Sequence, residues 1–126
     1  MLEKKLDELD DQINTLRLQQ EVLEEEHKRI QRNFMGFENE FYELRQGYQY
    51  LYSQNTSSSL EVYYLDSIQE VDFQTRFLGE KYKSQEELAK KKLVLNEEKV
   101  ERLLDSRRRL LIALKEDKEK GENNGN

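Results

Sequence analysis

The chain has no proline, no cysteine and no tryptophan, and only five glycines in 126 residues. Without proline, no position is barred from donating its backbone N–H into a helix. Without cysteine there is no disulfide, no zinc–thiolate site and no thiol nucleophile. No apolar run approaches the ~18 residues that a membrane-spanning helix needs. The opening Met1-Leu2-Glu3-Lys4-Lys5-Leu6-Asp7 also lacks the apolar stretch of a secretory signal peptide. The expectation is a protein made and folded in the cytoplasm, with no membrane insertion. Positive charge is in deficit, with 21 Lys and Arg against 27 Asp and Glu and a net charge of −6. That is the wrong sign for a general nucleic-acid binder, which gains affinity by displacing counterions from phosphates. There is one histidine, and no nucleophile–base pair, glycine-rich phosphate loop or metal-ligand spacing. No catalytic residue, cofactor or metal is therefore expected, and the function has to be one of binding.

What is present is helical pattern. With 35% hydrophobic and 38% charged residues, the composition is that of a long-helix or coiled-coil protein forming a single domain. Positions 2, 6, 9, 13, 16, 20, 23, 27, 30, 34, 37, 41, 44, 48 and 51 alternate in steps of four and three, and only Gln20 and His27 among them are polar. This predicts a helix over about residues 2–52, roughly 75 Å long at ~1.5 Å per residue. Gly36 and Gly47 weaken it, each by about 1 kcal/mol relative to alanine. The seam keeps its phase across both, so the helix is read as continuous. The polar stretch Ser53-Gln54-Asn55-Thr56-Ser57-Ser58 ends the pattern and predicts a turn.

A second helix is predicted over about 59–117, capped by Ser58 or Ser59, with Glu61 in its favourable first turn. Leu60, Tyr64, Ile68, Val71, Leu78 and Tyr82 form one stripe; Val62, Leu65, Phe73 and Phe77 fall roughly opposite. A helix apolar on two opposed faces is sandwiched between partners. Leu93, Val100, Leu103, Leu110 and Leu114 continue the seam with Asn96 and Arg107 on it, after a one-residue phase shift between Ala89 and Leu93. Gln20, His27, Asn96 and Arg107 read as polar seam residues that fix register at some cost in stability. The runs Lys90-Lys91-Lys92 and Arg107-Arg108-Arg109 lie among glutamates and Asp105, and so read as a salt-bridged surface. Residues 118–126 read as a disordered polar tail.

All seven tyrosines and five phenylalanines lie between Phe34 and Tyr82. If residues 53–58 turn the chain, these rings gather at one end of a hairpin. Aromatic side chains dominate interface energetics, so partner binding is assigned to Phe34, Phe37, Phe41, Tyr42, Tyr48, Tyr50, Tyr64, Phe73, Phe77 and Tyr82. Part of this set must serve the contact between the two helices. Tyr42, Tyr50, Phe73 and Phe77, which sit off both main seams, are the better interface candidates.

The aromatic centre and the segment Glu101-Arg102-Leu103-Leu104-Asp105-Ser106-Arg107-Arg108-Arg109-Leu110-Leu111 resemble the small α-helical proteins associated with LXG toxins of the bacterial type VIIb secretion system. The resemblance covers most of the chain and rests on architecture: a signal-less helical hairpin related in shape to the WXG family. No W-x-G turn is present; the nearest string, Phe34-Met35-Gly36, lies inside the seam. Tyr82-x-x-x-Glu86 matches the Tyr-x-x-x-Asp/Glu export string. The resemblance implies binding to the helical N-terminal domain of a toxin, together with a second small helical protein, for export, with co-export alongside the cargo left open.

The expected fold is therefore all-α, a long antiparallel two-helix hairpin that completes a helical bundle with a partner. The expected function is a non-enzymatic targeting factor or chaperone for an LXG toxin. The alternative is a self-associating coiled coil, a homodimeric tether or spacer. The opposed faces of the second helix and the concentration of aromatics at one end favour the first.

Overall fold

A computed structural model describes the chain from Met1 to Asn124, with side chains through Gly121. Helix α1 spans Leu2–Gln54 (53 residues) and α2 spans Ser58–Asn124 (67 residues). The two pack against each other as a helical hairpin, the architecture expected from the two seams, and no strand occurs among the described residues. Gly36 and Gly47 lie within α1 without interrupting it, and neither has a positive φ.

The turn is tighter than the sequence suggests, because only residues 55–57 stand outside a helix. Asn55 makes this possible: its Oδ1 accepts the Ser57 N–H at 3.0 Å and its amide donates to the Ser57 carbonyl. Such a local ring substitutes for backbone hydrogen bonds at a reversal. The Ser57 carbonyl also accepts the Glu61 N–H at 3.1 Å, so Ser57, ahead of the expected Ser58 or Ser59, stands at the cap of α2. The Tyr52 hydroxyl donates to Glu61 Oε1 at 3.5 Å, linking the end of α1 to the start of α2. At its far end α2 runs past the expected stop at Asp117 and continues to Asn124. Lys118, Glu119 and Lys120 are good helix formers, and no proline follows to end the helix. The last two residues of the tail expected to be disordered, 125–126, lie outside the described residues.

The chain divides into two compact units: Met1–Glu25 with the residues from Lys90 on (the terminal unit), and Glu26–Ala89 (the turn unit). In the terminal unit Ile13 is buried, and Leu2, Leu6, Leu9, Leu16 and Leu23 are partly covered, as the seam requires. Facing them, Leu93, Val100, Leu103, Leu110 and Leu114 are also partly covered. Asn96 is the buried polar residue of this seam. Its amide donates to the Leu16 carbonyl at 2.9 Å and to Gln20 Oε1 at 2.8 Å, while Gln20 Nε2 donates to Glu97 Oε1 at 3.1 Å. Arg107 Nε reaches Asp10 Oδ1 at 2.6 Å. Gln20, Asn96 and Arg107 are thus partnered across the helix pair, each at one defined height.

In the turn unit Val71 and Ala89 are buried, and Ile30, Phe34, Phe41 and Tyr48 of α1 are partly covered. The seam of α2 departs from the expected phase. Between Tyr82 and Ala89 the covered position is Glu86, and Gln85 is exposed. The spacing Leu78–Tyr82–Glu86 repeats four residues twice, so the stutter lies here and not between Ala89 and Leu93. A charged residue at the seam position hid it. Opposite Glu86 stands His27, whose Nε2 is buried, has no hydrogen-bond partner, and lies 3.7 Å from Glu86 Oε1.

Asn96→Ala removes two hydrogen bonds from a buried site and is expected to lower unfolding free energy by about 1–3 kcal/mol. Asn96→Leu, which places an apolar group on the same seam, should lower it by less or raise it. Chemical denaturation of the two variants in parallel checks the ordering; an equal loss in both would mean that the hydrogen bonds, which both variants lack, set the cost and that apolar bulk at this position does not offset it.

Candidate functional site

Beyond the stutter, α1 presents a different stripe to α2. Phe37, Leu44 and Leu51, which the heptad places on the seam, are between 45 and 49% exposed. Arg45, one position beyond Leu44, is partly covered instead. The cause is geometric. A straight α-helix turns through 3.6 residues, so a 3.5-residue seam drifts about 20° per heptad unless the helices supercoil, and a stutter unwinds the supercoil. The covered stripe Phe34–Phe41–Arg45–Tyr48 follows the straight helix and leaves the seam leucines on one flank.

Arg45 makes the cross-helix contact in their place. Its Nε donates to Asp72 Oδ1 at 2.6 Å and its Nη2 to Oδ2 at 3.3 Å. This hydrogen bonding, with the charge of Asp72, raises the guanidinium pKa above its ordinary value. Arg45 therefore remains a cation at any pH the fold encounters.

The aromatic residues divide into two groups. Phe34 and Tyr82 stack on each other, with ring centroids 4.0 Å apart and planes at 13°. Both belong to the hairpin's own interior, as do the partly covered Phe41, Tyr48 and Tyr64. Tyr64 also meets Tyr63 edge-on at 5.6 Å. The second group faces outward: Phe37 joins Tyr42, Tyr50, Phe73 and Phe77, of which the last two are 55% and 56% exposed. Phe73 and Phe77 are four residues apart, directly opposite the Tyr64–Val71–Tyr82 stripe. Tyr42 is held by the Gln46 amide, which donates to its hydroxyl at 2.7 Å. Beside the Phe34–Tyr82 stack, Phe37, Leu78, Lys81 and Gln85 frame a cleft of about 220 Å³. In the terminal unit an open groove of about 520 Å³ runs over Leu16 and Leu103 between Thr15 and Arg102.

These surfaces add up to a large exposed area. The chain exposes 10194 Å², against about 7,200 Å² for a compact monomer of its mass. Among the described residues, only Ile13, Val71 and Ala89 are buried apolar residues. Among the same residues no three His, Cys, Asp or Glu side chains group as a metal site, and no helix is long and apolar enough to cross a membrane. Both members of the Tyr82–Glu86 string are engaged inside the hairpin, Tyr82 with Phe34 and Glu86 with His27. No family model, curated protein or solved structure matches the chain.

Sequence reasoning missed two features of this site. It did not foresee Leu44, Leu51, Leu60 and Tyr63 as exposed apolar residues, because the heptad hid the first two and the α2 stripe the third. Nor did it find the segregation of charge. Between Arg32 and Arg76 the chain carries one basic residue, Arg45, and seven acidic ones: Glu38, Glu40, Glu43, Glu61, Asp66, Glu70 and Asp72. The remainder of the chain is balanced, with twenty of each sign, so this stretch holds the entire net charge of −6. That signal was available by counting along the sequence.

The two aromatic groups should respond differently to truncation. Phe34→Ala is expected to cost about 2 kcal/mol, the loss of a half-covered ring and its stack. Phe73→Ala with Phe77→Ala should change stability by about 0.5 kcal/mol or less. Thermal unfolding followed by circular dichroism decides; a large loss in the double variant would place those rings in the core.

Proposed function

We propose that this chain is a non-enzymatic targeting factor or chaperone that binds the helical N-terminal domain of an LXG toxin for type VIIb secretion. The observation that carries the reading is the outward aromatic pair Phe73 and Phe77 on a hairpin with so few buried apolar residues. A helix pair that covers one narrow stripe of each member leaves its remaining apolar surface for other helices. The exposed surplus over a compact monomer is about 3,000 Å², more than the roughly 1,000–2,500 Å² that each partner contributes to an obligate interface. The toxin's long amphipathic helices, with a second small helical protein, would close a bundle around these faces. The chain would act in the cytoplasm, before export, by keeping the toxin's apolar helices covered. A receptor reading Tyr82 and Glu86 would have to open the hairpin, so an export signal, where one is needed, is better sought on the toxin or the second small protein.

The test is co-expression with an LXG toxin's helical N-terminal domain, followed by size exclusion with light scattering. A stable heteromeric complex is expected, and Phe73→Ala with Phe77→Ala should weaken it by at least about 2 kcal/mol, the scale of a buried aromatic anchor. A chain that forms a stable homodimer alone and ignores the toxin domain would overturn the proposal in favour of a coiled-coil tether.

A further inference from the structure

The partner helix can be described more closely from the turn unit. Phe37, Leu44 and Leu51 recur every seven residues along one flank of α1, each about half exposed. The cleft at Phe37 shows which edge of α2 borders that flank, because its other wall is Leu78, Lys81 and Gln85. At about 100° per residue, Leu60 falls in line with Leu78, and Tyr63 and Glu70 lie farther out on the same side. Leu60 and Tyr63 are 46% and 56% exposed. The flank is thus an apolar groove about 21 Å long, the rise of fourteen helical residues. A third helix running alongside α1 would meet Phe37, Leu44 and Leu51 at heptad intervals.

The rim of this groove is acidic. Glu40 lies outside Leu44 on α1, and Glu70 lies opposite on α2. Both are exposed, and Glu70 Oε1 accepts a hydrogen bond from the neutral Gln74 amide at 3.0 Å. Glu38, Glu43 and Asp66 add three more exposed carboxylates to the same end, and among the described residues none of the three is ion-paired. The one base of the stretch, Arg45, is committed to Asp72. Lys81 stands at the inner end of the groove, where the acidic stretch stops. A second copy of the chain is a poor occupant. In a two-fold dimer this patch would face itself, setting the acidic end against an identical one. An apolar groove with an uncompensated acidic rim fits a helix whose apolar stripe is bordered by lysine and arginine.

We propose that the Phe37–Leu44–Leu51 groove binds a basic amphipathic helix of a partner protein, its apolar stripe on the three seam residues and its cations on Glu40 and Glu70. The inference deepens the helix-binding reading above and rests on it. Electrostatic complementarity of this kind selects partners and speeds encounter, while the apolar stripe supplies most of the affinity.

Three synthetic helices of about 20 residues test it against the full chain by fluorescence anisotropy. One has leucine at heptad positions and Lys/Arg flanks, one has the same stripe with Glu flanks, and one scrambles the first so that the stripe is lost. The first should bind, and its affinity should fall about tenfold or more between about 50 and about 500 mM salt. The other two should bind at least about tenfold more weakly. Leu44→Ser, and separately Glu40→Gln with Glu70→Gln, should each weaken the first peptide by about fivefold or more with the circular dichroism spectrum unchanged. Equal binding of the Glu-flanked peptide, equal binding of the scrambled one, indifference to Leu44→Ser, or no binding of any peptide would each overturn the proposal. The outcome is separable from that of the targeting role. Peptide binding without toxin-domain capture would sink that role and leave the groove. Toxin capture unaffected by the Glu40→Gln, Glu70→Gln variant would sink the groove and leave the role.

Discussion

Two helices can hide only one stripe of each other, and the period of that stripe is the constraint on which this structure depends. In the terminal unit the 3.5-residue seam stays covered, from Leu2 to Leu23. In the turn unit α2 takes two consecutive four-residue steps at Leu78–Tyr82–Glu86, and α1 follows a straight-helix stripe through Arg45. A heptad held against a straight partner walks off at about 20° per repeat. Phe37, Leu44 and Leu51 are left nearly equally exposed on one flank of α1, in the same unit as the phase change of α2.

With so thin a core, register cannot rest on shape complementarity of apolar side chains alone. Leucine against leucine is satisfied nearly as well one heptad out of place. The cross-helix polar contacts are not, because each has one height: Asp10 with Arg107 and Gln20 with Asn96 in the terminal unit, Arg45 with Asp72 in the turn unit. A slip would bury the Asn96 amide without an acceptor, at a cost comparable to several exposed ion pairs. Register is held by the penalty on wrong pairings more than by the strength of right ones. His27 and Glu86 differ from the others. His27 Nε2 and Glu86 Oε1 are 3.7 Å apart and His27 Nε2 has no hydrogen bond, so this pair is not fixed by a hydrogen bond at the height where the phase changes.

The hairpin and both helices were legible because fifteen seam positions and the absence of proline leave little alternative to a long α1. The roles of Gln20, Asn96 and Arg107 were legible for the same reason: polar residues on a regular apolar seam demand partners. The turn was placed but drawn too long, since Asn55 forms its own hydrogen-bonded ring and lets both helices start and stop closer together. The stutter was misplaced because a search for apolar positions steps over Glu86. The exposure of Leu44 and Leu51 could not be read from α1 at all. It depends on where α2 changes phase, a property of the pair and not of either helix. Phe34 and Tyr82 illustrate the same limit, since two rings on separate seams became one stack only once the register was fixed.

The coincidence of aromatics and acidic charge at the turn unit bears on what kind of association the chain favours. A surface of exposed phenylalanine and leucine with no charge around it would be self-adhesive, and a two-fold dimer would be its simplest fate. Seven acidic residues against one committed arginine change that balance. Bringing two such ends together multiplies like-charge repulsion over every pair of carboxylates, and it does so in the lowered dielectric of a forming interface. The same carboxylates cost little against a partner that carries lysine and arginine. On the proposed reading the partner repelled is a second copy of the chain, which would leave the apolar surface open to a basic partner. In the terminal unit the acidic excess of residues 1–25, eight Asp and Glu against three Lys and Arg, faces a basic excess from Lys90 on, so the least compensated acidic stretch lies in the turn unit.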